Sequence, residues 1–279
     1  MSERSLDSLE RIGVGRTAEI FAWGHGRALR LFLEGASVDY ALREMKAFGD
    51  AHGAGLPCPA VYPVDESDDG LIRIADRLRF VLDRVDGRSM LAELSRRPWL
   101  LVRHARQFAD LHRRVHSQTV RSLPSQRLRF ETVIERIRGD VGDGIADGLQ
   151  LVLRALPDGD AVCHGDFHPD NILLRSAGPV IIDWGPATCG NPAADVAWTA
   201  ALFRYAGCPP STAWWQRPLI FLLRRAFFAA YRRAYAQGAP FEWREVTAWA
   251  PVIAAVRLGD GIPEERAALL AVLRRRFGS

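Results

Sequence analysis

Three short segments gather the residue types that do chemistry: HGDFHPDN at 164–171, IDWG at 182–185 and NPAADVAW at 191–198. Their carboxylates border short apolar runs that read as strands. A charge beside a buried strand costs desolvation energy unless it is paired, hydrogen-bonded or bound to metal. Asp166, in the loop that enters NILLR, is placed to act as a base or to position a hydroxyl nucleophile. If NILLR and PVIID form a hairpin centred on Ala177, Asn171 faces Asp183 with Cβ atoms roughly 5 Å apart. An amide oxygen and a carboxylate so placed suit one hard cation such as Mg²⁺, which fills the rest of its shell with phosphate oxygens and water.

The same residues admit other readings. His164-x-Asp166-x-His168 alternates like a zinc or manganese hydrolase site. Asp170 can simply cap a turn, and Asp195 can be a first-turn residue of a helix. The remaining histidines, at 25, 52, 104, 112 and 116, complete no second cluster. His112 and His116, four apart in LHRRVH, lack the Glu of a zinc-protease helix and read as ordinary helix residues.

The elements that must position these groups differ along the chain. AEIFAW (18–23) and RALRLFL (27–33) flank Gly24-His25-Gly26 as a hairpin, and SVDYALREMKAFGDAH (37–52) reads as a helix that stops at Gly53 and Gly55. LIRIA (71–75) and RFVLDRV (79–85) add two strands, and after Gly87 long amphipathic helices such as PWLLVRHARQFADLHRRVHS (98–117) take over. Gly13-x-Gly15-x-x-Ala18 precedes an alternating strand rather than opening a helix, so it reads as a flap over phosphates and not as a dinucleotide turn. Glu44 shares a helix face with Ala41 and Phe48, which points it inward, and an inward carboxylate wants a cation. Arg30, on the strand RALRLFL, is the partner this suggests. Lys46, the sole lysine, sits roughly 200° round the helix.

Composition narrows the class. With 48% hydrophobic and 9% aromatic residues in 279, the chain has material for a sizeable core. The opening MSERSLDSLERIG has acidic residues and no apolar h-region, so it does not read as a signal peptide. The longest apolar run, AWAPVIAAV at 248–256, is about half of a membrane span. A cytoplasmic protein is therefore expected, with no membrane partner. Cys58, Cys163, Cys189 and Cys208 form no C-x-x-C pair and read as core residues. Residues 1–87 hold 11 basic and 15 acidic side chains, whereas 200–279 hold 12 and 5. Arg224-Arg225 and Arg232-Arg233 recur at two helical turns, as on a solvated face, which argues against a nucleic-acid surface.

HGDFHPDNIL, VIIDWG and GNPAADVAW, in that order and spacing, resemble the aminoglycoside phosphotransferase and choline kinase-like family, which has the protein-kinase fold. The glycine flap, the helix carrying Glu44, VLDRVDG and RLGDGIPEER extend the likeness over most of the chain. It implies an α+β, bilobal protein-kinase-like fold: a small β-rich N-terminal nucleotide-binding lobe, residues 1–86, and a larger, mainly helical lobe for catalysis and substrate, residues 87–279. It implies that Asp166 is the catalytic base and that Asn171 and Asp183 hold Mg²⁺ and the phosphates of ATP. Gly13, Gly15, Arg30 and Glu44 would then serve the phosphates, and backbone near Asp83, Arg84 and Val85 the adenine. His164 would shape the catalytic loop, His168 support it, and Asp195 brace it.

The family normally has Lys where Arg30 stands, and the larger, forked guanidinium grips phosphate with a different geometry. The expected activity is an ATP- and Mg²⁺-dependent transfer of phosphate to a hydroxyl of a small molecule. A polycationic acceptor fits poorly with the basic last third, so a neutral or anionic acceptor is expected. The alternatives are a nucleotide-binding pseudokinase with a sensing or scaffolding role and a metal-dependent hydrolase using His164, Asp166 and His168.

Overall fold

Strand alternation and helical stripes lay out the chain in the order the sequence suggests. The computed structural model describes residues 9–15, 17–62, 72–74, 77–208 and 212–278; the first eight residues, and the ends of LIRIA at 71 and 75, lie outside the described residues. In chain order the elements are β1 (Arg11–Val14), β2 (Ala18–Gly24), β3 (Arg27–Phe32), α1 (Val38–Gly53), β4 (Val61–Tyr62), β5 (Ile72–Ile74), β6 (Arg77–Asp83) and β7 (Arg88–Ser89). There follow α2 (Met90–Arg96), α3 (Leu101–His116), α4 (Gln126–Arg136), α5 (Arg138–Val141), α6 (Asp143–Ala155), β8 (Ala161–Cys163), β9 (Ile172–Arg175), β10 (Gly178–Ile181) and β11 (Thr188–Gly190). The chain ends with α7 (Pro192–Tyr205), α8 (Arg217–Ala236), α9 (Trp243–Gly259) and α10 (Pro263–Phe277). None of these helices is long and apolar enough to cross a membrane.

Two compact units result: Met1–Ser89 with Asp170–Pro186, and Met90–Pro169 with Ala187–Ser279. The segment that carries Asn171 and Asp183 belongs with the first unit.

In the first unit, antiparallel strands run in the order β1-β2-β3-β6-β4, with β5 also on β6. Period-two alternation sorts β3. Leu29 and Leu31 join Phe21 and Val81 in one core layer. Ala28, Arg30 and Phe32 point the other way, where Phe32, Phe80, Phe48 and Tyr40 pack ring to ring. α1 turns the stripe Ala41, Glu44, Ala47, Phe48 and Ala51 inward, which is the 3.6-residue period of an amphipathic helix. Arg30 and Glu44 thus share one buried layer for reasons of periodicity alone.

The β9–β10 hairpin corrects one expectation. Gly178 pairs with Arg175 and Ile181 with Ile172, so the turn has two residues, Ser176 and Ala177, and is not centred on Ala177. Asn171 therefore opposes Ile182, whose N–H donates to the Asn171 carbonyl at 3.0 Å. A slip of one residue exchanges the faces of a strand, so direct opposition of Asn171 and Asp183 does not hold. Gly178 accepts a φ of 115° at the turn exit, a conformation open to glycine.

In the second unit α3 packs along α8, α7 along α9 and α10 along α9. The short β8–β11 ladder, Thr188 to Cys163 and Gly190 to Ala161, fixes the start of the loop that follows β8. α7 begins with Asn191 as N-cap, its side chain accepting from Ala193 N–H at 2.8 Å, and Pro192 in the first turn. Proline suits that position because its missing N–H would have no helical partner.

Candidate active site

The loop after β8 carries Asp166, and every neighbour of Asp166 in that loop is held. Asp195, in the first turn of α7, accepts from His164 N–H at 2.7 Å through Oδ2 and from Gly165 N–H at 2.8 Å through Oδ1. Gly165 takes a φ of 75° between these two contacts, which a side chain would strain. The Phe167 carbonyl accepts from Thr199 Oγ1 at 2.9 Å. The Phe167 ring lies against Phe108 and stacks on His112, with centroids 4.5 and 4.0 Å away.

Asp166 itself is set by this frame. Its N–H donates to His164 Nδ1 at 3.3 Å, and His168 Nε2 lies 3.4 Å from Oδ2. Burial pushes the Asp166 carboxyl up, but the contact with His168, the field of His164 and the nearby Trp198 indole outweigh it and leave the group below its ordinary value. The Trp198 N–H stands beside this carboxylate without closing a hydrogen bond. The outcome is an ionised carboxylate on a rigid loop, a requirement for accepting a proton or aligning a hydroxyl.

Two relays run into Asp195 from behind. His112 and His116 lie one turn apart on α3, and each Nε2 is 3.1 Å from Asp195 Oδ2. Their Nδ1 atoms face Tyr231 and Tyr235 hydroxyls of α8 at 2.9 and 2.6 Å. An ionised Asp195 fixes the tautomers: Nε2–H donates to the carboxylate and Nδ1 accepts from tyrosine. Burial, together with the neighbouring His116, pushes His112 down to about 3, so it is neutral. Burial works against the Asp195 charge, yet the two imidazoles hold its carboxyl well below the usual range. His112, His116 and Asp195 offer atoms within 4.8 Å of one another, as a metal site would; their hydrogen bonds already use each of those atoms.

His112 and His116, read from the sequence as ordinary, are thus the part of the site that sequence reasoning missed. A signal existed: two imidazoles four apart on the apolar stripe of α3, answered by two tyrosines four apart on the apolar stripe of α8. His164 is buried and bonded within the loop, and it does not join Asp166 and His168 in a convergent ligand set among the described residues.

In the first unit Arg30 Nη2 lies 2.5 Å from Glu44 Oε1 and 3.4 Å from Asp183 Oδ1. Glu44 is fully buried, and its oxygens lie outside hydrogen-bond geometry. Burial therefore drives its carboxyl up to about 7, with Arg30 pulling it down and Asp183 pushing it further up. Arg30 also donates to Thr17 Oγ1 at 3.3 Å. Asp183 has a φ of 63°, a left-handed conformation uncommon for a residue with Cβ and often kept where function requires it. Its carboxylate is half-exposed. Gly185 follows on a close approach, since a Cβ there would lie 2.8 Å from Tyr40 Oη and 3.3 Å from Glu44 Cδ. Asn171 is buried at the entrance to β9. An amide oxygen and a half-exposed carboxylate are hard donors that fit Mg²⁺.

Gly13 pairs with Ile20 across β1–β2, and Gly15 N–H closes that hairpin on the Ala18 carbonyl at 2.8 Å. Asp83 holds the end of β6 with its side chain, accepting from Tyr62 Oη at 2.7 Å and Ala60 N–H at 3.1 Å. The Asp83 and Arg84 N–H groups go to the carbonyls of Ala60 and Gly26. Val85 N–H has no such backbone partner among the described residues.

Comparison with known proteins adds three findings. The model of the phosphotransferase enzyme family (APH) matches residues 8–249. No curated protein matches the chain by sequence. Among solved structures, aminoglycoside phosphotransferase APH(4)-Ia, a thermostable mutant in ternary complex with AMP-PNP and hygromycin B, aligns with a TM-score of 0.60 at 18% identity over 98% of this chain and 95% of its own. The amicoumacin kinase hAmiN, in complex with AMP-PNP, Ca²⁺ and Ami, aligns at 0.58 with 13% identity over 98% and 88%. Macrolide 2'-phosphotransferase MphH from Brachybacterium faecium aligns at 0.53 with 17% identity over 96% and 91%. At these identities the likeness is one of fold.

Proposed function

Since the chain belongs to the phosphotransferase enzyme family, we propose that it moves the terminal phosphoryl group of ATP, with Mg²⁺, to a hydroxyl of a small molecule. The observation that carries this reading is the ionised Asp166 on a loop pinned by Asp195, Thr199 and the Phe167 stack. As the new O–P bond forms and the bond from phosphorus to the bridging oxygen of ADP breaks, Asp166 takes up the acceptor's hydroxyl proton. His168 steadies its carboxylate. Asn171 and Asp183 hold the cation, which when bound neutralises charge on the phosphates. Arg30, kept straight by Glu44, meets phosphate oxygens beside Asp183. Gly13 and Gly15 bring backbone close to the phosphates, and the strand end from Asp83 to Val85 receives the adenine through Val85 N–H. Such a site suits phosphoryl transfer, where positioning and charge neutralisation supply most of the rate. Asp166 and Asn171 are five residues apart, so the base and the cation ligand are tethered within about 18 Å.

Calorimetric titration with ATP, with and without Mg²⁺, tests the nucleotide half of the reading, beside Asp183→Asn. Mg²⁺-dependent binding that weakens at least tenfold in the variant is expected. Absence of ATP binding under both conditions overturns the reading. Phosphate transfer in the natural chain, lost in Asp166→Asn, separates the kinase from the pseudokinase, in which Arg30→Lys would have to create an activity the natural chain lacks.

A further inference from the structure

A pocket of about 440 Å³ opens in the second unit between the C-terminal end of α7 and the first turns of α8. Its lining includes Ala206, Gly207 and Cys208, which follow α7, and the apolar side chains of Trp214, Pro218 and Phe221. Trp214, Pro218 and Phe221 repeat at four and three residues and so present one apolar face. Trp214 is 80% and Phe221 54% exposed, a concentration of bare aromatic surface that marks binding surfaces.

The pocket also has fixed charge. Arg224 donates through Nη1 to the Ala206 carbonyl and through Nη2 to the Gly207 carbonyl at 2.8 Å. These bonds satisfy the carbonyls of the two residues that follow α7, close to a helix C-terminus, where a cation is favoured. Arg224 is thereby a rigid wall rather than a free arm. Arg217, also lining the pocket, is exposed and has no side-chain partner among the described residues. None of the lining residues is acidic. Glu264 stands close by, its Cβ 3.9 Å from where a Gly207 side chain would start.

The position along α7 connects this pocket to the chemistry. Trp198 stands beside Asp166, and Ala206 follows eight residues later. At the helical rise that is about 12 Å along the axis. That separation is within the length of a small molecule.

We infer that this pocket selects the phosphate acceptor, and that the acceptor is a hydroxyl compound whose far end is a planar ring bearing one anionic group. The ring lies against Trp214 and Phe221, and the anion pairs with Arg217, whose guanidinium has no partner among the described residues. A polycation meets two guanidiniums and no lining carboxylate. This inference rests on the kinase reading for its purpose, but not for its test.

The test is calorimetric binding of three matched probes to the full chain: para-carboxyphenyl glucoside, its para-carbamoyl analogue and its para-aminomethyl analogue. The carboxylate is expected to bind at least tenfold tighter than either of the others. Arg217→Gln should reduce that preference to about twofold, the residue of long-range attraction once the paired charge is gone. Trp214→Ala, at an exposed position that folding does not need, should weaken the carboxylate and amide probes by the same factor. Binding of none of the probes, equal binding of the aminomethyl probe, or a preference that survives Arg217→Gln overturns the inference. Because binding is read without phosphate transfer, the two failures are distinguishable. ATP binding without this order of probes sinks the pocket assignment alone, whereas the order of probes without ATP binding sinks the kinase reading and the acceptor role with it, and leaves only a pocket for an anionic ring.

Discussion

Asp195→Ala should destabilise the chain by about 4 kcal/mol, although Asp195 is proposed to touch neither nucleotide nor acceptor. Its carboxylate accepts four hydrogen bonds, from His164 and Gly165 N–H at 2.7 and 2.8 Å and from His112 and His116 at 3.1 Å each. A hole the size of a carboxylate admits one water, able to serve about two of the four donors. Each buried donor left without an acceptor costs about 1–3 kcal/mol, so the two that remain give a loss of roughly 4 kcal/mol. For a chain of this size that corresponds to a melting temperature about 8 °C lower. Asp195→Asn is the control. With its oxygen in the Oδ2 position it keeps three of the four bonds, and only Gly165 N–H faces an amide donor, so about 1–2 kcal/mol is expected. Urea unfolding followed by circular dichroism and tryptophan fluorescence measures both. An alanine variant within about 1 kcal/mol of the natural chain, or an asparagine variant equally damaging, would refute the four-bond reasoning.

The buried imidazole should also show in the pH dependence of stability. Unfolded His112 binds a proton below its ordinary value of 6.5, whereas in the fold it resists protonation down to about 3. Stability tied to this group is therefore lost as pH falls through that window, by up to about 1.4 kcal/mol per pH unit. Glu44 acts in the opposite sense, since its folded carboxyl is raised from 4.5 to about 7 and stability declines as pH rises between them. The quantity to measure is thus the difference between the natural chain and His112→Gln, and a difference flat with pH contradicts a neutral buried His112. Gly185→Ala drives a methyl to 2.8 Å from Tyr40 Oη and should cost about 1–3 kcal/mol. Adding Tyr40→Phe should recover most of it in the same denaturation assay. Arg30→Met leaves Glu44 buried without its cation, a loss of about 3–5 kcal/mol, which Glu44→Met in the same chain should largely reverse.

Local pattern carried much of the first unit. The alternation of RALRLF and the stripe of α1 suffice to put Arg30 and Glu44 in one layer, because both follow from periods of two and 3.6 residues. The hairpin register did not follow, because Ser176-Ala177 has no strong turn chemistry and the φ of 115° at Gly178 is visible only in the fold. The network behind the loop was less legible still. His112 lies 83 residues from Asp195 and 119 from Tyr231, and no window along the chain contains two of its members from different helices. Motif spacing singled out Asp166, whereas what holds it in place is long-range packing of α3, α7 and α8.

The first unit is sewn from two stretches, Met1–Ser89 and Asp170–Pro186, and this bears on how the protein is born. Domains commonly fold in the order in which they leave the ribosome. Here β7 finds its neighbour β9 only after the intervening Met90–Pro169 has been synthesised. The six-stranded sheet has all its strands by Asp83, but β7, which belongs to a separate three-stranded sheet with β9 and β10, must wait unpaired while the helices of the other unit emerge first. A chain arrested after Ser89 would hold the glycine flap and the Arg30–Glu44 pair but neither Asn171 nor Asp183, and no fragment cut at that point can be a miniature of the whole.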